Sequence, residues 1–243
     1  MKNKPLVIGH RGASGLVQFE NSFEAFQKAI DIGCDGIECD VRKTSDNVLV
    51  INHNPNIGDL IIKDHTYEEL NNYTTNLGYT LPTLIETLKL VKDKILIDIE
   101  LKEVGYEEKI VDEIISILPT NQFFVRSFFD EALIKIHKLN KDIRIILLTG
   151  LEHPKHLLRT RYSEVYPKRR LKRCGAYAVS PYYKEMVMNY SKRLTRQGYP
   201  IITWTVNTEE DMRNCIGKVD GIITNHPDKL MNIIDDIYNK KEN

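Results

Sequence analysis

Two histidines, two basic residues and three carboxylates stand at the ends of short apolar segments of this chain. They occur in four strings, GHRGASG at 9–15, IECDV at 37–41, INH at 51–53 and IELK at 99–102. Because the carboxyl ends of parallel strands meet on one side of an α/β fold, these groups are expected to converge. Imidazoles, carboxylates and cations held together suit proton transfer on an anionic substrate.

The three carboxylates are candidates for a metal site. Glu38 and Asp40 are two positions apart on a predicted strand and therefore share a face, and Glu100 ends a second apolar segment. Oxygen ligands without cysteine suit a hard divalent ion, Mg²⁺ or Ca²⁺, rather than zinc. The same carboxylates would also fit a structural ion-pair network with Arg11 and Lys102. Their positions alone leave both interpretations open.

The histidines favour chemistry over a purely structural role. His10 and His53 each end an apolar segment, and imidazole is the side chain best matched to proton transfer near neutral pH. Together with the carboxylates and two cations, they predict an acid and base pair around an anion site. Gly12 and Gly15 permit a tight turn that brings backbone amides toward that anion. This glycine run lacks the spacing of a P-loop or a dinucleotide-binding fingerprint.

Composition limits the remaining possibilities. A chain of 243 residues with 42% hydrophobic content can bury one large core, so we expect one domain over residues 1–243. Basic and acidic residues balance at 34 each, which gives no overall attraction to nucleic acid or to an anionic membrane. The chain has no long apolar run and no signal-peptide core, which predicts a cytoplasmic protein without a membrane segment. The four cysteines lack zinc spacing and are expected to be buried thiols.

Eight short segments rich in Val and Ile alternate with stretches of helical periodicity, which predicts a closed TIM (β/α)8 barrel. The predicted strands are 6–9, 36–41, 95–101, 123–128, 144–149, 176–180, 201–206 and 221–225. The predicted helical stretches include 21–33, 84–93, 106–118, 130–140 and 184–198.

The second predicted strand is followed by an irregular region. Segment 47–53 comes too soon after that strand for a helix to intervene, so it predicts a hairpin-like extension. The polar stretch at about 54–81 is then expected to be an insertion over one end of the barrel. Two helix starts are expected further along the chain, at the capping residue Asp130 and at Pro227.

The motifs, taken in order along nearly the whole chain, resemble one known enzyme family. They are GHRG, Glu20-Asn21, Glu38-Cys39-Asp40, the histidine of INH, Glu100-Leu101-Lys102, Ser127-Phe128, WTVN at 204–207 and DGIITNHP at 220–227. This set is similar to that of the glycerophosphodiester phosphodiesterases. The resemblance implies a TIM barrel that uses a divalent ion to hydrolyse a phosphodiester to sn-glycerol 3-phosphate and an alcohol.

The resemblance also implies a role for each site residue. Carried onto this chain, the metal ligands are Glu38, Asp40 and Glu100, the general acid and base are His10 and His53, and the phosphate ligands are Arg11 and Lys102. Glu20 and Asn21, in the first loop at the pocket edge, and Trp204, in the pocket lining, would contact the substrate. Asn54 follows His53 where the family usually has aspartate, which changes the group available to orient that histidine.

Two other functions are compatible with the sequence. One is a phospholipase D-like or lyase activity on lysophospholipids that gives a cyclic phosphate; the other is a non-catalytic barrel that binds a phosphorylated ligand. The resemblance leaves open whether the attacking group is water or the glycerol hydroxyl of the substrate. The basic segment 153–175 could make weak contact with anionic surfaces, although a solvated face is the simpler interpretation. The sequence predicts neither an oligomeric state nor the identity of the released alcohol.

Overall fold

The computed structural model describes residues 4–150 and 157–239, which contain eleven strands, ten α-helices and three short 3-10 helices. The strands are β1 (Leu6–Gly9), β2 (Gly36–Lys43), β3 (Leu49–Ile51), β4 (Asn56–Ile57), β5 (Leu60–Ile61), β6 (Leu96–Leu101), β7 (Phe123–Ser127), β8 (Ile145–Thr149), β9 (Ala178–Pro181), β10 (Ile202–Thr203) and β11 (Gly221–Thr224). The helices are α1 (Phe23–Asp31), α2 (Tyr67–Asn76), α3 (Leu84–Val91), α4 (Glu107–Ile115), α5 (Asp130–Leu139), α6 (Leu157–Val165), α7 (Lys168–Cys174), α8 (Tyr190–Arg196), α9 (Glu209–Cys215) and α10 (Pro227–Asn239).

Eight parallel strands form the barrel in the order β10, β11, β1, β2, β6, β7, β8, β9. The ring is completed between β9 and β10 by two isolated parallel bridges, Val179 with Ile201 and Tyr182 with Trp204. All eight predicted strands are present, and the predicted TIM barrel is confirmed. Every barrel strand therefore directs its carboxyl end toward the same mouth.

The alternation of side chains along the strands produces two apolar layers. Inside the barrel, six buried residues form a small cluster: Ile8, Phe124, Ile146, Ala178, Ile202 and Ile223. Outward-facing residues such as Ile37, Cys39 and Val41 join the larger core between the strands and the helices. This pattern places Glu38 and Asp40 inside the barrel, because they lie on the face of β2 opposite to the outer core.

The extension after β2 has the predicted hairpin form. β3 pairs antiparallel with β2, with Val41 opposite Ile51. The following residues contain the small hairpin of β4 and β5 and then α2, which begins at a capping box formed by Thr66 and Glu69. Val50, Ile57, Ile62, Leu70 and Leu81 form a separate apolar cluster under this region. The segment predicted as an irregular insertion thus has its own helix and its own small core.

Two details differ from the sequence prediction. Within the predicted helical stretch 184–198 the α-helix begins only at Tyr190, because Met188 and Asn189 take left-handed φ angles of 54° and 57°. Tyr183–Glu185 forms a separate short 3-10 helix before it. Helix α5 begins at Asp130 as expected, but Asp130 does not cap it. Its carboxylate pairs instead with Arg170 and Arg173 of α7. Helix α10 begins at Pro227, as predicted.

Candidate active site

The loop after β1 places the first histidine and the first cation at the barrel mouth. Gly12 has φ +81°, and a Cβ at this position would lie 2.6 Å from the carbonyl carbon of Ala25. The backbone of Arg11 is also left-handed, with φ 54°. This tight turn keeps the loop against α1 and directs His10 and Arg11 toward the neighbouring strand β2.

His10 is held in one orientation by a residue from the far end of the chain. Its Nδ1 lies 2.6 Å from Oδ1 of Asn225, which follows β11. With the amide oxygen as acceptor, Nδ1 carries the proton and Nε2 keeps its lone pair. Burial, and then the positive charge of Arg11, lower the pKa of His10 to about 3. The ring is therefore neutral near pH 7, and its Nε2, which carries the lone pair, lies 4.0 Å from Glu38 Oε2.

Glu38, Asp40 and Glu100 form a compact, buried group of carboxylates. Oxygen atoms from all three lie within 4.8 Å of one another. The strand register explains this proximity, because Asp40 on β2 pairs directly with Glu100 on β6. Burial, followed by repulsion from Asp40 and Glu100, raises the pKa of Glu38 well above its usual range. Three buried carboxylates that repel one another favour the binding of a positive charge between them. Because they offer only oxygen ligands, they fit a hard divalent cation.

Arg11 and Lys102 contact these carboxylates from two sides. Arg11 Nε lies 3.3 Å from Asp40 Oδ2, and Lys102 Nζ lies 2.8 Å from Glu100 Oε1 and 3.4 Å from Asp40 Oδ1. Burial by itself raises the pKa of Asp40, but the charges of Lys102 and Arg11 outweigh it and lower that pKa to about 2. Both predicted cations therefore lie within the carboxylate site.

His53 approaches the site from the residues after β3. Its Nδ1 lies 2.9 Å from Asn54 Oδ1, so asparagine supplies a neutral acceptor where the family pattern has a carboxylate. The backbone carbonyl of His53 accepts hydrogen bonds from Nε and Nη2 of the buried Arg42, at 3.0 and 2.7 Å. Arg42 in turn pairs with Glu103. These contacts position the ring although its segment lies outside the barrel.

These groups surround one cavity of about 540 Å³. Its lining residues are His10, Arg11, Glu38, Asp40, His53, Glu100, Lys102, Arg126, Phe128, Phe129, Leu148, Gly150 and Trp204. Charged groups lie on one side, and the other side is apolar and largely aromatic. Trp204 lies at the wall, where Nε1 donates to the Ser180 carbonyl at 3.0 Å and the ring packs edge-on against Phe128.

Glu20 and Asn21 contact residues that line the cavity but do not belong to its lining themselves. Glu20 Oε1 accepts from Arg11 Nη1 at 2.6 Å. The amide of the buried Asn21 donates to Asp40 Oδ2 at 2.8 Å. Both residues therefore position site groups in this structure, and their predicted contact with substrate stays a prediction.

Comparison with known proteins adds evidence independent of this geometry. The Glycerophosphoryl diester phosphodiesterase family matches residues 10–229. The chain belongs to this family. A relative named glycerophosphodiester phosphodiesterase from Caldanaerobacter subterraneus subsp. tengcongensis is 32% identical, over 95% of this chain and 98% of the relative. A protein of the same name from Bacillus altitudinis is also 32% identical, over 93% of this chain and 97% of its own length.

A solved structure of a glycerophosphodiester phosphodiesterase from Parabacteroides distasonis has the same fold. It superposes with a TM-score of 0.81 at 27% identity and covers 98% of this chain and 99% of its own. The family resemblance read from the motifs is thus confirmed. No helix among the described residues of this family member is long and apolar enough to cross a membrane.

Sequence reasoning missed the residues that position His10. Asn225 lies in the motif DGIITNHP, which the sequence analysis used only for the family resemblance and the start of α10. Its backbone N–H donates to Asn207 Oδ1 at 2.9 Å, so the asparagine of WTVN orients the loop that orients His10. Both asparagines belong to motifs that the sequence displays, WTVN and DGIITNHP. The sequence does not reveal that Asn225 contacts His10, because the two residues are 215 positions apart.

Arg126 was also missed, and it is almost fully buried inside the barrel. Its Nη1 lies 3.0 Å from Asp98 Oδ2, and its Nη2 donates to the hydroxyl of Ser180. Burial raises the pKa of Asp98 to about 6 even though Arg126 opposes that change. The sequence did contain an indication of this role, because Arg126 is a basic residue within the apolar strand FFVRSF, at a position that faces the barrel interior. Arg126 and Asp98 form the charged floor beneath the carboxylate site.

We expect Arg126→Met to destabilise the protein by about 3–5 kcal/mol, because it leaves the Asp98 carboxylate buried without a partner. The midpoint of thermal unfolding should fall by about 10 °C, as measured by circular dichroism. The matched control is Lys109→Met, which removes the partner of Glu113 from an exposed ion pair on α4. That pair should contribute about 0–1 kcal/mol. Equal melting temperatures for the two variants would contradict the structural role of Arg126.

Proposed function

We propose that this protein hydrolyses glycerophosphodiesters to sn-glycerol 3-phosphate and an alcohol, with a divalent cation and two histidines. The observation that carries the proposal is the convergence of three buried carboxylates, two histidines and two cations on one cavity. Family membership supports the substrate class. The phosphodiester would lie against the charged side, and its alcohol would extend toward the aromatic side.

Mg²⁺ or Ca²⁺ is the cofactor that fits the donor set best. Glu38, Asp40 and Glu100 would hold it, since their oxygen atoms lie within 4.8 Å of one another. A bound divalent ion supplies Lewis-acid stabilisation of the charge that develops on the phosphoryl oxygens. Arg11 and Lys102 add positive charge beside the same position and would bind the remaining phosphoryl oxygens.

The two histidines divide the proton transfers in this proposal. His10 is neutral, with Nδ1 held by Asn225 and Nε2 available, so it would take the proton from the attacking oxygen. His53 is half-buried, lines the same cavity as His10 and would protonate the departing alkoxide. Protonation matters because an alkoxide is a poor leaving group near neutral pH.

The attacking oxygen is either water or the free glycerol hydroxyl of the substrate. Attack by the hydroxyl gives a cyclic phosphate, which water then opens in a second step with the histidines in exchanged roles. The same residues serve both routes. A lysophospholipid is the second candidate substrate, because the apolar wall of Phe128, Phe129, Leu148 and Trp204 would accept a longer alcohol or chain.

A substrate panel tests this proposal. The purified protein with Mg²⁺ or Ca²⁺ is given glycerophosphocholine, glycerophosphoethanolamine and lysophosphatidylcholine, and the phosphorus-containing products are separated. We expect kcat/KM to be highest for a glycerophosphodiester, with sn-glycerol 3-phosphate as the final product. Turnover of lysophosphatidylcholine alone would replace this proposal with the lysophospholipid activity. Binding of all three without turnover would indicate a non-catalytic barrel.

A further inference from the structure

The surface formed by α6, α7, α8 and the residues between β9 and α8 differs in charge from the rest of the protein. Between residues 157 and 198 the chain has eleven Lys and Arg but only two Asp and Glu, whereas the complete chain has a net charge of zero. Both acidic residues are engaged: Glu164 is buried, and Glu164 and Glu185 both pair with Arg161. This strongly positive surface, here called the basic surface, has its compensating charge elsewhere on the molecule.

The cations of the basic surface face solvent. Six exposed members are Arg159, Lys168, Arg169, Lys172, Lys192 and Arg196. Within residues 4–150 and 157–239, none of these six has an acidic side chain at ion-pair distance. By contrast, Arg170 and Arg173 both form ion pairs with Asp130, which offsets one of their two charges. Of the basic segment 153–175 predicted from the sequence, residues 153–156 lie outside the described part of the chain. The structure distinguishes the cations that have an acidic partner from the six named above and adds the cations of α8.

Large apolar and aromatic side chains are exposed among these cations. Leu158 is 86% exposed, Tyr162 69% and Met188 67%, and Leu157 and Val187 are also exposed. They are neighbours of the basic groups: Tyr166 Oη lies 3.8 Å from Met188 Sδ, and the guanidinium of Arg193 lies 4.4 Å from the Tyr166 ring centre. A simple solvated charged face does not require exposed leucine, valine and methionine side chains.

The helices present these groups as one continuous surface. Arg159, Tyr162 and Tyr166 recur at helical spacing on and just after α6, and the two rings lie 5.0 Å apart. Tyr162 and Tyr166 share a groove of about 570 Å³ with Lys168, Lys172 and Arg193. Arg193 also lines the adjoining groove with Lys192 and Arg196. Charges and apolar tips therefore lie side by side over three helices.

The basic surface is attached to the rim of the active-site cavity. Gly150, which lines that cavity, donates its backbone N–H to Glu164 Oε1 of α6 at 2.9 Å. Tyr182, at the start of the segment that leads to Met188, packs against Trp204 with ring centres 5.6 Å apart. A partner on the basic surface would consequently lie next to the cavity mouth.

We propose that the basic surface docks the protein reversibly on anionic phospholipid bilayers. Anionic headgroups complement the unpaired Lys and Arg side chains, and each such cation near a charged membrane strengthens binding about fivefold. Leu157, Leu158, Val187 and Met188 would enter the boundary between headgroups and acyl chains. The combination of cations with exposed aliphatic tips fits a membrane better than a nucleic acid, which offers no apolar layer to these tips.

Vesicle sedimentation tests the proposal with the full chain and without any turnover. We expect binding to vesicles of phosphatidylcholine with phosphatidylglycerol but not to vesicles of phosphatidylcholine alone. Binding should weaken as NaCl rises, because salt screens the attraction over about 10 Å at 0.1 M. The variant Lys168→Glu/Arg169→Glu/Lys172→Glu should lose at least tenfold in affinity. Leu158→Ser/Met188→Ser should lose several-fold, since these exposed side chains would no longer enter the bilayer.

The matched control reverses the same amount of charge on a different face. Lys89, Lys92 and Lys94 are exposed on and after α3, and their replacement by glutamate should leave vesicle affinity close to that of the unchanged protein. Melting curves verify that every variant is folded. Equal binding by the α7 and α3 variants would overturn the proposal, as would no binding to anionic vesicles. Retention of a single-stranded oligonucleotide without vesicle binding would overturn it in favour of nucleic acid.

Discussion

Replacement of His10 by alanine is expected to lower kcat for glycerophosphodiester hydrolysis by about 10²–10⁴-fold, the usual contribution of a positioned acid or base. His10 is neutral in its half-buried position, and its Nε2 lies 4.0 Å from Glu38 Oε2 in the carboxylate site. Alanine removes the proposed proton acceptor but leaves the proposed metal ligands and the proposed phosphate-binding cations in place. Initial rates at saturating substrate and metal measure this loss, and circular dichroism verifies the fold.

Two further variants give this prediction its controls. His65→Ala removes a histidine whose Nδ1 contacts the Ile61 carbonyl, outside the active-site cavity, and should leave kcat within about twofold. Asn225→Ala removes the hydrogen bond that orients His10 and should give an intermediate loss in kcat with little change in KM. Full activity of His10→Ala would show that the base lies elsewhere in the cavity.

Replacement of Glu38 by glutamine is expected to change function and stability in opposite directions. Without metal, Glu38 is buried against Asp40 and Glu100, so removal of its charge relieves repulsion and should raise the melting temperature of the stripped protein. Each kcal/mol gained corresponds to about 2–4 °C for a chain of this size. The same change removes a proposed anionic ligand of the metal, so affinity for Mg²⁺ or Ca²⁺ should fall by at least 10-fold to 100-fold, roughly, and activity with it.

Calorimetric metal titration and thermal melts of the same samples measure both effects. Glu24→Gln, which removes an exposed carboxylate from the first turn of α1, is the matched control and should leave metal affinity and activity unchanged. Unchanged metal affinity in Glu38→Gln would contradict the assignment of the carboxylate group as a metal site. A lower melting temperature for the stripped variant would contradict the repulsion between the three carboxylates.

Much of the fold and the centre of the site could be predicted because both depend on local patterns. Alternation along a strand is a local rule, and it places Glu38 and Asp40 on one face. Apolar segments mark the strands, and the side chains at their carboxyl ends meet at the mouth of a parallel barrel. His10 and Glu100 could therefore be brought together without knowing any contact between them.

The contacts that position the site could not be predicted in the same way. The hydrogen bond between Asn225 and His10 joins residues near opposite ends of the chain, and the pair of Arg126 and Asp98 depends on the register of β6 and β7. The helix expected from 184 onward begins late because Met188 and Asn189 take left-handed conformations, which helical periodicity does not reveal. These contacts and the late start of the helix depend on strand register, on pairing between residues far apart in sequence and on φ angles at single residues. The local apolar pattern specifies none of the three.

The central claim is metal-dependent hydrolysis of a glycerophosphodiester at this carboxylate and histidine site. The most direct measurement is phosphorus NMR of glycerophosphocholine mixed with protein that has been stripped by chelator and then supplied with Mg²⁺ or Ca²⁺. We predict no change in the stripped sample and conversion to sn-glycerol 3-phosphate after metal is restored, with no conversion by Glu38→Gln. Equal turnover by the stripped protein, or by Glu38→Gln, would contradict the account.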